Sequence, residues 1–275
     1  MFNNLLRTMK LIIVITFAIS LSSCASTHGE WGKSATLMPR WSAVKDAAVS
    51  AATDPNTWIP LAGAAVFGAT SFSGTNWDHK TSDWAVRTTP IFGSAEHARD
   101  TSDRLEDISR TNFFFTSLLT PSGDGWDGAW NKAKGLAIGF TARRINAEIT
   151  DSIKFSTNRV RPDKSDDFSF PSGHTSNSSV YASISVHNLT YLNLTQTQEA
   201  LWKASSYTVA GLTAWARVEG NRHYPSDVLT GYALGNFLGI FISQAFINPE
   251  AKNKFHVDMS LLQNREQSFT LSYRW

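Results

Sequence analysis

Apolar positions recur at helical spacing through seven stretches of the chain. They are approximately Ser42–Ala52, Trp58–Thr70, Leu105–Leu119, Ala129–Thr157, Ser172–Leu192, Gln198–Ala216 and Pro225–Phe246. Turn chemistry separates the early ones, at Asp54-Pro55-Asn56, Ser73-Gly74-Thr75-Asn76 and Pro121-Ser122-Gly123-Asp124-Gly125. Sustained alternation of the kind a strand needs occurs only at the C-terminus, where Phe269, Leu271, Tyr273 and Trp275 alternate with polar residues. That segment is expected to pair with Val257–Leu262 as a hairpin packed on the body. The fold class predicted is all-α, a single helical bundle with a short C-terminal β-hairpin.

Val228–Ile247 carries no charge and is long enough to cross a bilayer. Its small residues Gly231, Gly235 and Gly239 repeat at a spacing that lets helices approach closely, and the mean hydropathy of the chain is −0.21. The segment is therefore read as the central buried helix of a soluble bundle.

The N-terminus is patterned differently. Arg7 and Lys10 precede an uncharged run, Leu11–Leu21, too short for a membrane span but suited to a signal-peptide core. The following Leu21-Ser22-Ser23-Cys24 resembles the lipobox of bacterial lipoproteins. That resemblance implies removal of residues 1–23, acylation of Cys24 and, with Ala25 next, sorting to the periplasmic face of the outer membrane. Cys24 is the only cysteine, so no thiol remains for a disulfide or a metal. Residues 24–40 read as a polar tether contributing no core, 41–250 as the helical domain and 251–275 as the hairpin appendage. Asn-x-Ser/Thr triplets at Asn177, Asn188 and Asn193 are taken as chance in such a protein.

Net charge is +2 with the signs interspersed, which offers no basic face for a nucleic acid. What charge there is gathers in three short blocks that suit a phosphoryl group. In the first, Lys154-Phe-Ser-Thr-Asn-Arg-Val-Arg161-Pro162, two cations seven residues apart can share a helix face, and the helix should end near Arg161 because the residue before proline avoids the α region. In the second, Phe170-Pro171-Ser172-Gly173-His174-Thr175, a helix start offers free backbone N–H groups, the Ser172 hydroxyl and close approach at Gly173, with His174 placed to protonate a leaving oxygen. The third runs Ala216-Arg217-Val-Glu-Gly-Asn-Arg-His223-Tyr-Pro-Ser-Asp227. With Pro225 as the first helical residue, Asp227 falls in the first turn and can orient His223 as a nucleophile, while Arg217 adds a third cation.

Together the blocks resemble the three-part pattern of the type 2 phosphatidic acid phosphatase superfamily: Lys-x6-Arg-Pro, Pro-Ser-Gly-His, then Ser-Arg-x5-His-x3-Asp. Ala216 stands where that pattern commonly has serine. The resemblance implies a helical bundle and no metal or other cofactor. It also implies a phosphate held by Lys154, Arg161, Ser172, Gly173 and Arg217, with His223 attacking, His174 as general acid and Asp227 orienting. Hydrolysis of phosphate monoesters or diphosphates through a phosphohistidine follows, on a small-molecule or lipid substrate reached through the anchor. Two rivals share the same site: a vanadate-dependent haloperoxidase, and an envelope lipoprotein that binds phosphate without turnover. Arg159 and Arg222 fall off the pattern and are read as solvated or rim charges. Asp166 and Asp167 could hold a cation, and Trp77, Asp78, His79, Trp84 and His97 form a segment that either covers the pocket or packs on the body.

Overall fold

The structure, a computed structural model, describes residues 29–249 together with the backbone of 255–261 and 267–273. The expected signal peptide and Cys24 lie outside the described residues. Among the described residues eight α-helices follow one another: α1 (Trp41–Thr53), α2 (Pro55–Phe72), α3 (Trp77–Thr88), α4 (Ala95–Leu119), α5 (Gly125–Thr157), α6 (Gly173–Leu189), α7 (Gln196–Glu219) and α8 (Pro225–Ile242), which runs on into a π-helical turn, Ser243–Ile247. Strands β1 (Phe255–Leu261) and β2 (Gln267–Tyr273) pair antiparallel, Phe255 opposite Tyr273 and Leu261 opposite Gln267.

α8 lies at the centre of the bundle together with α6, which is packed between α4, α7 and α8. α6 is a polar helix, yet Ser176, Ser178, Ser179, Ser183 and Ser185 are all completely buried. Burying hydroxyls costs free energy unless each finds a partner. Here Ser178 meets Ser109 and Thr213, Ser179 donates to the Tyr232 carbonyl and Ser183 to Asn236 Oδ1. The small side chains matter because α8 presents its glycines to them. A Cβ on Gly231 would lie 2.5 Å from the Ser172 carbonyl oxygen, and one on Gly235 2.1 Å from that of Ser176. The glycine spacing therefore brings two backbones together and sets the start of α8 against the start of α6.

Among the described residues, the segment Pro225–Ile247 has the length and composition of a membrane span, and 61% of its most apolar window is buried inside the protein. Two sequence expectations need correction here. Residues 29–40 do contribute to the core: Trp31 is fully buried, its indole N–H donates to Asn188 Oδ1 at 2.8 Å, and its ring fills the space left by Gly135. The segment around Trp77 and Asp78 is helix α3, and α4 starts ten residues before the expected Leu105, after an N-cap at Ser94 whose side chain accepts from the His97 N–H. Both stretches are polar enough to hide their helical period.

Candidate active site

Three helix ends converge. α5 stops at Thr157 because Asn158 takes the left-handed conformation (φ 45°), four residues earlier than the proline had suggested. Lys154 thus sits in the last turn, its Nζ 3.4 Å from where a Cβ on Gly173 would lie, so the ammonium faces the N-terminus of α6. Arg161 comes from the loop instead of the helix. Its position is fixed by Asp166, which accepts from Nε, and by donation from Nη1 to the Arg222 carbonyl at 3.0 Å. Asp166 and Arg222, both set aside or misread in the sequence, therefore build the loop: Arg222 also pairs with Asp163 at 3.0 Å. Ser172 is the N-cap residue of α6 and Gly173 its first residue, as the second block suggests, and the Ser172 N–H is spent on the Asp227 carbonyl at 3.0 Å.

His223 lies in the short connection between α7 and α8 and is buried. Its Nδ1 is 2.6 Å from the Ser169 carbonyl oxygen, which can only accept, so Nδ1 carries the proton and Nε2 presents a lone pair. Nε2 is 3.0 Å from Arg161 Nη1. The expected direct histidine–carboxylate bond is absent: Asp227 Oδ2 stands 3.8 Å from Nδ1, too long for a hydrogen bond. That carboxylate accepts instead from the Ser169 hydroxyl (2.6 Å), the Tyr224 N–H (2.8 Å) and Arg159 Nη1 (2.6 Å). Asp227 thus orients His223 at one remove, by pinning the residue whose carbonyl holds the ring.

Arg159 is likewise no rim charge. Its guanidinium bridges Asp227 and the fully buried Asp78 (2.7 Å) and lies 4.4 Å from the Tyr224 ring centroid. Asp78 accepts from the Ser226 N–H at 2.9 Å and from its hydroxyl, tying α3 to the first turn of α8. Sequence spacing could not show this, because partners 81 and 148 residues apart form one network.

Arg217, in the last turn of α7, is buried and donates from Nη1 to Ser102 Oγ at 3.0 Å, while its Nε has no hydrogen-bond partner. Burial, then the nearby Arg161 and Arg222, push its pKa down to about 10. Ala216 beside it packs in an apolar cluster with Phe92, Ala98, Leu105 and Val209. His174, in the first turn of α6, is partly exposed, and its Nε2 lies 2.9 Å from Asp103 Oδ1 and 4.0 Å from Glu106 Oε2, two carboxylates of α4. Burial and then Arg217 lower its pKa to about 4, with Asp103 opposing them. His223 is driven well below its ordinary value by burial, Arg217 and Arg161. Both histidines are therefore driven towards the neutral form. Among the described residues no cluster of His, Cys, Asp and Glu is arranged to hold a metal ion.

The arrangement is a cradle of three cations, Lys154, Arg161 and Arg217, around a helix N-terminus, with a lone-pair nitrogen on one side and an imidazole on the other. Residues 136–249, which include all three blocks, match the PAP2 superfamily. These residues form a PAP2 superfamily domain. Over 127 residues the chain is 32% identical to the lipid A 1-phosphatase of Porphyromonas gingivalis, an alignment that takes in 44% of this chain and 26% of that protein. The chain thus spans about a quarter of the length of this relative. A crystal structure of a transmembrane PAP2-type phosphatidylglycerolphosphate phosphatase from Bacillus subtilis superposes with a TM-score of 0.47 at 22% identity, over 69% of this chain and 95% of that one.

Proposed function

We propose that this PAP2 protein is a metal-independent phosphatase that removes phosphate from lipid phosphates through a phosphohistidine at His223. The observation that carries the reading is the buried Arg217 with an unsatisfied Nε beside two further cations, in a pocket where His223 Nε2 offers a lone pair. A buried cation short of partners is costly, and a phosphate dianion supplies both the charge and the acceptors it lacks.

In the first step the Nε2 lone pair forms an N–P bond as the P–O bond to the leaving group breaks, and His174 gives that oxygen a proton. Water then attacks phosphorus, passes a proton to His174 and releases His223. The Ser169 carbonyl, fixed through Asp227, keeps the Nδ1 proton in place and steadies the positive ring. Lys154, Arg161, Arg217 and the α6 N-terminus take up the charge that develops on the equatorial oxygens. The bound dianion offsets the cations that depress His174, so substrate binding itself raises the pKa of the acid.

A lipid substrate is supported by the likeness to the lipid A 1-phosphatase of P. gingivalis and by the lipobox-like Leu21-Ser22-Ser23-Cys24, whose acylation would hold the domain at the periplasmic face of a membrane. The chain from Pro55 to Trp77 carries no charge, and along α2 the residues Trp58, Leu61, Ala62, Ala65, Val66 and Ala69 form an exposed apolar stripe, which favours a lipid surface nearby. The test is phosphate release from p-nitrophenyl phosphate, phosphatidic acid and undecaprenyl diphosphate by the full chain in detergent with EDTA, beside His223→Ala. Metal-independent release abolished by the substitution is expected, with phosphatidic acid preferred. Absence of release from all three would overturn the reading.

A further inference from the structure

The histidine placed to protonate the leaving group already has a carboxylate on one of its two nitrogens. His174 Nε2 is 2.9 Å from Asp103 Oδ1, so of the two ring atoms only Nδ1 remains for the leaving oxygen. An imidazole that must hold one proton towards a carboxylate and deliver another from the opposite nitrogen can act only as imidazolium. The charges facing the ring are mixed: Lys154 from α5 and Arg217 from α7 work against protonation, and Asp103 and Glu106 from α4 work for it. Glu106 is less suited to the task, because its Oε2 is 4.0 Å away, Asn177 occupies its Oε1 at 3.0 Å, and burial pushes its own pKa to about 7. Asp103 and Glu106 both lie before the span that matches the superfamily.

We propose that Asp103 is the positioning residue of the general acid: its carboxylate accepts the Nε2 proton of His174, holds the ring as imidazolium in the substrate complex, and makes Nδ1 the atom that protonates the leaving oxygen. This rests on the phosphatase reading above. The proton balance is complete, since Nδ1 loses a proton to the departing alkoxide in the first step and regains one from the attacking water in the second. Asp103 keeps its charge throughout.

A group that acts by protonating the leaving oxygen matters most when that oxygen leaves badly. p-Nitrophenolate departs with little help, whereas the alcohol of phosphatidic acid needs its proton. The experiment is kcat/KM against pH for p-nitrophenyl phosphate and a short-chain phosphatidic acid, in wild type, Asp103→Asn and Asp103→Glu. For Asp103→Asn the loss on phosphatidic acid should exceed the loss on p-nitrophenyl phosphate by about tenfold or more, and the alkaline limb should move to lower pH. Asp103→Glu should recover part of both effects. A smaller difference between the two losses, or a limb that stays in place, would overturn the proposal while leaving the phosphatase reading intact. No turnover of either substrate by wild type would remove both.

Discussion

The two histidines face the same cations, Lys154 and Arg217, and are held in opposite ways. His223 is buried, its ring fixed by a carbonyl that a serine hydroxyl, a carboxylate, a guanidinium and a second buried carboxylate hold in turn. His174 is partly exposed, and its one close partner, Asp103, is mostly in solvent. In the proposed mechanism the nucleophile must meet phosphorus in line at a fixed distance, which rewards a rigid support. The acid must change protonation state twice per turnover, which rewards access to water and a charge balance that the substrate can tip. Rigidity and adjustability are thus divided between the two residues.

Three measurements would sharpen or break that contrast. The largest difference should be in stability. Asp78→Ala removes the buried partner of Arg159 and of Ser226, and unfolding in urea should show a loss of about 3–5 kcal/mol, whereas Asp103→Ala, breaking an exposed pair, should cost less than about 1 kcal/mol. Comparable losses from both substitutions would contradict the division drawn here.

Next in size is the response to anion. Orthophosphate or orthovanadate at a hundred times its Kd should stabilise the protein by about 2.7 kcal/mol, seen as a rise in Tm, and Arg217→Gln should remove most of that rise because it deletes the cation with the unsatisfied Nε. A rise that survives the substitution would place the anion elsewhere.

The gentlest effect, taken per pH unit, is the pH dependence of stability. A histidine whose folded pKa is depressed is neutral in the native state but protonates when unfolded, so its contribution is present above pH 6.5 and is lost as pH falls. Replacing His223 with Gln should therefore flatten the decline of unfolding free energy below about pH 6.5 by up to about 1.4 kcal/mol per pH unit. His174→Gln should flatten it only down to about pH 4, where the native His174 itself takes up a proton. Identical profiles for the two variants would mean that the two surroundings do not differ in their protection of the ring.

Local regularities in the sequence led to the helices and to the cradle. Proline at position 225, the glycines at 231, 235 and 239, and the order of the three blocks are features of short stretches, and each translates directly into a helix start, a close packing seam or a cation of the cradle. What escaped notice depends on partners far apart. Ser169 serves His223 through its backbone carbonyl, which any residue could supply, so no side-chain pattern marks it. Asp78 and Asp103 lie in stretches with little apolar periodicity, and their value appears only when α3 and α4 fold against the later helices. The serines of α6 misled in another way: a helix buried on all sides by small polar residues has no amphipathic stripe, so the apolar α8 drew attention as the centre when the two helices share it.

Trp31 changes the expected reach of the domain. A tether running to residue 40 would let the body range widely, but the chain is locked into the core at Trp31, only seven residues beyond Cys24. Fully extended, seven residues span at most about 25 Å. Trp31 packs at the Asn188 end of α6 and the cradle lies at the Gly173 end, so a lipid on Cys24 would tether one end of the bundle closely and leave the cradle about 25 Å away at the other. Access to a headgroup would then turn on how the bundle lies against the bilayer more than on the length of the tether.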